Sequence, residues 1–148
     1  MILYTDTSAL VKRFIKEKGS DEINQLLATA DIVGSSLLTQ VEMVAAIGKA
    51  SRMNWLDTNS ADIAVQNFLS DWQFFTRLFI TPPLIERSSR LAWELGLRGY
   101  DATHLATALL WKETLENEVV MVTYDKELWT AAIKTGLQIW PDDLISQF

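Results

Sequence analysis

Four acidic residues stand where a charge is awkward. Asp6 closes the apolar start Met1-Ile-Leu-Tyr-Thr, and Glu42 is the only charge in the run 41–47. Asp101 opens an alanine-rich segment, and Asp125 follows the apolar run 119–123. Brought into one pocket, four carboxylates repel each other unless a divalent cation neutralises them. The chemistry such a pocket supports is metal-assisted hydrolysis of a phosphodiester bond. With a single histidine and no cysteine, a zinc site is out of keeping with the sequence. Carboxylate-only sites prefer Mg²⁺ or Mn²⁺. The hydroxyls of Thr7, Ser8 and Thr123 could orient a bound water or carboxylate, although hydroxyls at strand ends are also common turn residues. His104, one turn past Asp101, reads as a packed or hydrogen-bonded core residue.

Each aspartate also has a plainer reading. Asp6, Asp101 and Asp125 all precede or open helical segments, where Asp is a common N-cap contributing roughly 1 kcal/mol. Glu42 is different, because its neighbours Val41, Met43, Val44, Ala45, Ala46 and Ile47 are apolar. A buried ionised carboxylate is costly unless paired or metal-bound. Its plainer reading is a salt bridge with Lys49 or an arginine elsewhere.

The elements that must position these groups alternate between strand and helix. Strands are predicted at 2–5, 31–36, 77–81, 118–123 and 137–140 from short apolar runs. Helices are predicted at 7–17, 20–30, 38–52, 58–76, 84–96, 101–114 and 126–135, with Ser20 as a cap. In the long helix 58–76 the expected inward residues are Ala61, Ala64, Val65, Phe68, Leu69, Trp72 and Phe75. Pro82-Pro83 marks a break between elements. Strands joined by helical crossovers imply a parallel sheet of four to five short strands with helices on both faces. Ligands then bind beyond the carboxyl ends of the strands, where strand order reverses. If strands one and four are neighbours, Asp6 and Asp125 flank that point.

The 148 residues suffice for one domain, expected over 1–148. A composition of 49% hydrophobic and 22% charged residues excludes a disordered chain. No apolar stretch is long enough to cross a bilayer, and no leader pattern opens the chain. Together with the lack of cysteine, this points to the cytoplasm. The net charge of −6 argues against broad nucleic-acid binding, unless part of the acid holds metal. Of the tryptophans, Trp72 fits a core face; Trp55 and Trp93 are less easily placed and fit a partner surface, with core packing the default for all.

The segments YTDTSALVK, TQVEMVAA, LRGYDATHLATAL and MVTYDKELWTAA resemble the four acidic blocks of PIN-domain nucleases. The small size is similar to the VapC-type toxins of prokaryotic toxin–antitoxin pairs. The resemblance runs from Met1 to about Trp140. It implies a three-layer α/β/α fold and Mg²⁺- or Mn²⁺-dependent endoribonuclease activity on RNA, leaving a 3′-hydroxyl and a 5′-phosphate. By matching motifs, it implies Asp6, Glu42, Asp101 and Asp125 as the metal-binding set and Thr123 as the hydroxyl of the fourth block. Many relatives carry a further acid just past the fourth-block aspartate; here Lys126 and then Glu127 follow. The resemblance also implies a homodimer and a small antitoxin partner.

Two other enzymes of this topology are excluded by their motifs. Haloacid-dehalogenase-type phosphatases need Asp-x-Asp after strand one, and Ser8 takes the second place. Response-regulator receivers need an acidic pair after strand one and an Asp after strand three, where Thr81-Pro82 stands. Two alternatives remain: a noncatalytic PIN-fold module acting through a protein partner, and a purely structural subunit. Lys12, Arg13, Lys16, Arg87, Arg90 and Arg98 are candidate phosphate contacts but also ordinary surface charges, so none is assigned a site role.

Overall fold

The computed structural model describes residues 1–147. One or two helices separate each pair of successive strands. The elements are β1 (Ile2–Thr5), α1 (Thr7–Phe14), α2 (Ser20–Thr29), β2 (Ile32–Ser36), α3 (Leu38–Arg52) and α4 (Thr58–Trp72). Then follow β3 (Thr76–Leu78), α5 (Pro82–Leu95), α6 (Gly99–Leu115), β4 (Val120–Val122), α7 (Lys126–Lys134) and β5 (Gln138–Trp140). A 3₁₀ turn covers Ile145–Gln147.

The five strands form one sheet in the order β3-β2-β1-β4-β5, and all four pairings are parallel. The chain leaves β1 in one direction through β2 and β3, then returns to the other side for β4 and β5. The expected adjacency of strands one and four holds, with Thr5 in register with Val122. This register aligns the carboxyl ends of β1 and β4.

Side chains alternate across the sheet, and the core divides accordingly. Tyr4 and Met121 face α6 and α7, packing with Leu105, Ala108, Leu128 and Ala132. Leu3, Val120 and Val122 face the other way, against Ala9 and Ile23 of α1 and α2. A further cluster joins α1, α3 and α4 through Leu10, Met43, Ile47, Phe68 and Trp72. Helix α6 is buried over most of its length, from Asp101 to Leu109 and again at Trp111. Gly34 lets it approach: a Cβ there would lie 2.6 Å from the Trp111 ring.

Several predicted boundaries move. The third strand ends at Leu78 rather than Thr81, because Thr81 caps α5 by accepting from the Leu84 N–H. The prolines begin that helix instead of merely ending a strand, since Pro suits the first helical turn. Ser20 is the first residue of α2, not its cap. Gly19 takes the cap position with φ 94°, and the Ser20 hydroxyl accepts from Glu17 N and donates to the Ile15 carbonyl. Helix α4 ends at Trp72, and Leu69 points to solvent, while Ala61, Ala64, Phe68 and Trp72 are buried as expected. Core packing fails for two tryptophans: Trp55 and Trp93 are 66% and 89% exposed.

Candidate active site

Beyond the carboxyl ends of β1 and β4 lies a cleft lined by Asp6, Glu42, Asp101 and Asp125, the four acids selected from sequence. They arrive on four different elements. Asp6 directly follows β1, and its N–H donates to the Val122 carbonyl at 3.2 Å. Asp125 follows β4, Glu42 comes from α3, and Asp101 from the first turn of α6.

Asp6 is 3% exposed and hydrogen-bonded through both oxygens. The Ser8 hydroxyl donates to its Oδ1 at 2.8 Å, the Thr123 hydroxyl to its Oδ2 at 2.6 Å, and the Ala9 N–H to its Oδ1 at 3.0 Å. Both hydroxyls in turn accept backbone N–H groups, Ser8 from Tyr124 at 2.9 Å and Thr123 from Asp125 at 3.0 Å. Each hydroxyl has one hydrogen to give, and the N–H bonds direct it to Asp6. Ser8 and Thr123 therefore hold the carboxylate as expected. Burial pushes the Asp6 carboxyl up from its ordinary range, against the opposing pull of His104 and these hydrogen bonds.

Glu42 is held differently from the sequence expectation. Val41 and Val44 face solvent, so apolar neighbours do not bury it. Lys49 is not its partner. His104 Nε2 lies 2.7 Å from Glu42 Oε1, and the Thr7 hydroxyl donates to the same oxygen at 2.9 Å. Burial raises the Glu42 carboxyl, but the His104 and Thr7 contacts outweigh it and the net shift is downward. His104 is a hydrogen-bonded core residue, 1% exposed, as expected. Its role in steadying Glu42 was not visible in the sequence, since the two lie 62 positions apart.

Asp101 is not a cap. It sits in the first turn of α6, whose cap position is Arg98. Only 2% exposed, Asp101 is pushed up to about 6 by burial and then by the charge of Asp125, against the pull of Arg98. Arg98 Nε donates to Asp101 Oδ2 at 3.0 Å and Nη2 to Asp125 Oδ2 at 2.7 Å. Asp125 does cap α7, accepting the Leu128 N–H at 2.9 Å. Asp6 likewise caps α1. Cap and site membership coincide in both.

Among the candidate phosphate contacts named from sequence, only Arg98 lines this cleft. Lys12 pairs with Glu17, Arg13 with Asp71, Lys16 with Asp21 and Arg87 with Glu113. Lys49 and Arg52, two further cleft cations, extend from α3 along the face that carries Glu42. Their spacing from Glu42, seven and ten residues, is a helical repeat that sequence could have revealed.

The donor set suits a hard divalent cation in chemistry: oxygen ligands, high negative charge and buried aspartates short of water. Asp101 Oδ1 and Glu42 Oε2 accept no hydrogen bond from the described residues. Among the described residues, however, no three acidic or histidine side chains converge closely enough to enclose a metal. The Arg98 guanidinium bridges two of them instead.

Comparison with known proteins agrees with this fold. The PIN domain family pattern matches residues 3–134. Ribonuclease VapC45 of Mycobacterium tuberculosis is 30% identical over 143 residues, 97% of each chain. The crystal structure of PAE2754 from Pyrobaculum aerophilum superposes with a TM-score of 0.66 at 24% identity, covering 99% of this chain and 86% of that one. A toxin–antitoxin complex from Klebsiella pneumoniae contains a chain with a TM-score of 0.55 at 24% identity, covering 81% and 84%. With its parallel five-stranded sheet and a family match over nearly its whole length, this chain belongs to the PIN-domain family.

Proposed function

We propose that the protein is a Mg²⁺- or Mn²⁺-dependent endoribonuclease and the toxin of a toxin–antitoxin pair. The observation that carries this reading is the meeting of Asp6, Glu42, Asp101 and Asp125 in one cleft at the sheet's switch point. The similarity to a VapC ribonuclease over 97% of the chain supports RNA as the substrate class.

In this reading the four carboxylates would hold the cation, directly or through water. A bound divalent ion would supply an acidified water and neutralise charge at the phosphoryl group. The protein's own contribution is preorganisation. Ser8 and Thr123 fix Asp6, while Thr7 and His104 fix Glu42. Lys49 and Arg52 bring positive charge to the cleft wall, where the phosphates flanking the scissile bond would run. No nucleophilic side chain is required.

A small antitoxin and a second copy of the chain are the protein partners that this reading carries, with the cytoplasm as the compartment. The exposed Trp55 and Trp93 offer apolar surface for such contacts. No helix of the described residues is long and apolar enough to cross a membrane.

The test is cleavage of a mixed cellular RNA pool by antitoxin-free protein, with Mg²⁺ or Mn²⁺ and with EDTA, beside Asp6→Asn. Cleavage that needs metal and disappears in the variant is the expected result. A folded protein that binds metal but cuts no RNA would favour the noncatalytic module.

A further inference from the structure

Arg98 occupies a position that helix electrostatics does not favour. It precedes α6, at the helix's positive end, where a cation is disfavoured. Two carboxylates hold it there. Its Nε donates to Asp101 at 3.0 Å and its Nη2 to Asp125 at 2.7 Å, and its guanidinium lies 4.8 Å from the Tyr100 ring centre. The fork geometry of arginine suits this bridging of separate oxygens.

The same two carboxylates belong to the proposed metal set, so the inference rests on that reading. Oxygen lone pairs that accept from a guanidinium are not available to a cation at the same time. Removing Arg98 without any replacement charge would leave Asp101 and Asp125 facing each other uncompensated, two like charges that the guanidinium now bridges. The Arg98 side chain is 55% exposed while that of Asp101 is 3% exposed. The arginine can therefore swing into solvent while the carboxylates stay in place. Lys49 and Arg52 line the same cleft without a hydrogen bond or ion pair to its acids among the described residues.

The geometry points to Arg98 as a resident counter-cation that competes with the divalent metal for Asp101 and Asp125. In metal-free protein it bridges the two acids and steadies the cleft. Metal binding through Asp101 Oδ2 and Asp125 Oδ2 requires its release, and the apparent metal affinity falls by the fraction of molecules in which the bridge is closed.

Calorimetric titration of the full chain with Mn²⁺, without RNA, tests this. The proteins compared are wild type, Arg98→Gln, Arg98→Lys, Lys49→Gln and Asp101→Asn, each checked for fold by circular dichroism. Competition predicts that Arg98→Gln binds Mn²⁺ roughly tenfold tighter, the scale on which a closed bridge taxes affinity. Arg98→Lys keeps the charge but lacks the fork that spans both acids, so it also binds tighter, by a smaller factor. Lys49→Gln removes the same charge from the same cleft and shifts affinity less than Arg98→Gln. Equal or weaker binding by Arg98→Gln overturns the inference. So does a gain matched by Lys49→Gln, which would reduce the effect to charge at a distance. Both of these leave the metal-site reading standing, provided wild type binds and Asp101→Asn weakens it. Binding by neither wild type nor Arg98→Gln removes the metal site itself and the inference with it.

Discussion

His104 joins Tyr4 to Glu42, with Nδ1 2.7 Å from the Tyr4 hydroxyl and Nε2 2.7 Å from Glu42 Oε1. A carboxylate only accepts hydrogen bonds, so Nε2 carries the hydrogen of that contact. Burial pushes the Tyr4 hydroxyl far above its ordinary range and keeps it protonated. The hydroxyl accepts from the Ser36 N–H at 3.2 Å and shares a hydrogen bond with Nδ1. A connected chain thus runs from the β2 backbone to the cleft carboxylate. It fixes the orientation of the imidazole and of Glu42.

Truncation of His104 therefore acts on two levels. His104→Ala leaves a buried hydroxyl without its partner, and such loss costs about 1–3 kcal/mol in urea unfolding. It also frees Glu42 to turn. The expected kinetic signature is a fall in kcat for RNA cleavage with little change in KM. Tyr4→Phe shortens the same chain and should reproduce the pattern more weakly. Lost stability with unchanged kcat in both variants would confine the network to a packing role.

The buried aspartates set a pH dependence for the metal-free protein. Asp101 is raised from 3.8 to about 6, by burial and then by Asp125, and burial also raises Asp6. Between those values the folded chain binds more protons than the unfolded chain, so stability falls as pH rises. Metal-free protein should be more stable near pH 4 than near pH 7 as far as these groups are concerned. Asp101→Asn removes the titration, so its stability relative to wild type should increase as pH climbs through about 6. Thermal melts in EDTA at stepped pH check this. A relative stability that stays flat across that window would contradict the assigned shift.

Much of this was legible in the chain, and the pattern of misses has a physical cause. The alternation of short apolar runs with helical periodicity located five strands and seven helices, because each signal is local. Asp6 and Asp125 were readable as strand-end residues for the same reason. The missed features depend on reach across the fold. His104 meets Glu42 and Arg98 meets Asp125 only after α6 docks beside the sheet's carboxyl edge. Glu42 was selected on the premise that its apolar neighbours are buried, yet Val41 and Val44 face outward. The strand–helix junction at 79–82 was misread because Phe79, Ile80 and Thr81 carry strand-like side chains. What decided it was a cap bond from Thr81.

Gly34 offers a test of how α6 is seated. It pairs with Tyr4 in register, and a side chain there would meet the Trp111 ring at 2.6 Å. Gly34→Ala forces α6 outward or the indole out of its place, an overpacking that costs about 1–3 kcal/mol. Because α6 carries Asp101 and His104, metal affinity should fall together with stability. Adding Trp111→Phe should recover part of both losses. A fully additive double mutant would show that the glycine and the ring do not share one space.

Lys49 and Arg52 are expected to act through phosphate. Replacing either with Gln should weaken binding of RNA to metal-free protein across sequences and lower the salt slope by about 1 per lost contact. KM should rise with kcat nearly preserved. Fluorescence anisotropy over a range of salt concentrations measures the slope. An unchanged slope in both variants would assign phosphate contact elsewhere on the surface.

Asp125 separates the cap from the chemistry. Its Oδ1 accepts the Leu128 N–H at 2.9 Å, while its Oδ2 meets Arg98. Asparagine caps a helix about as well as aspartate does, whereas alanine does not; loss of a cap costs about 0.5–2 kcal/mol. Asp125→Asn keeps an acceptor for α7 but removes the charge. Asp125→Ala removes both. If the residue serves only as a cap, the Asn variant should retain cleavage and the Ala variant should lose stability alone. If the carboxylate also holds metal, both variants lose metal-dependent cleavage while only Ala is clearly destabilised by way of α7. Chemical denaturation and RNA cleavage on the same two proteins distinguish these outcomes. The dual placement of Asp125, capping one helix and sharing Arg98 with the start of another, predicts the second.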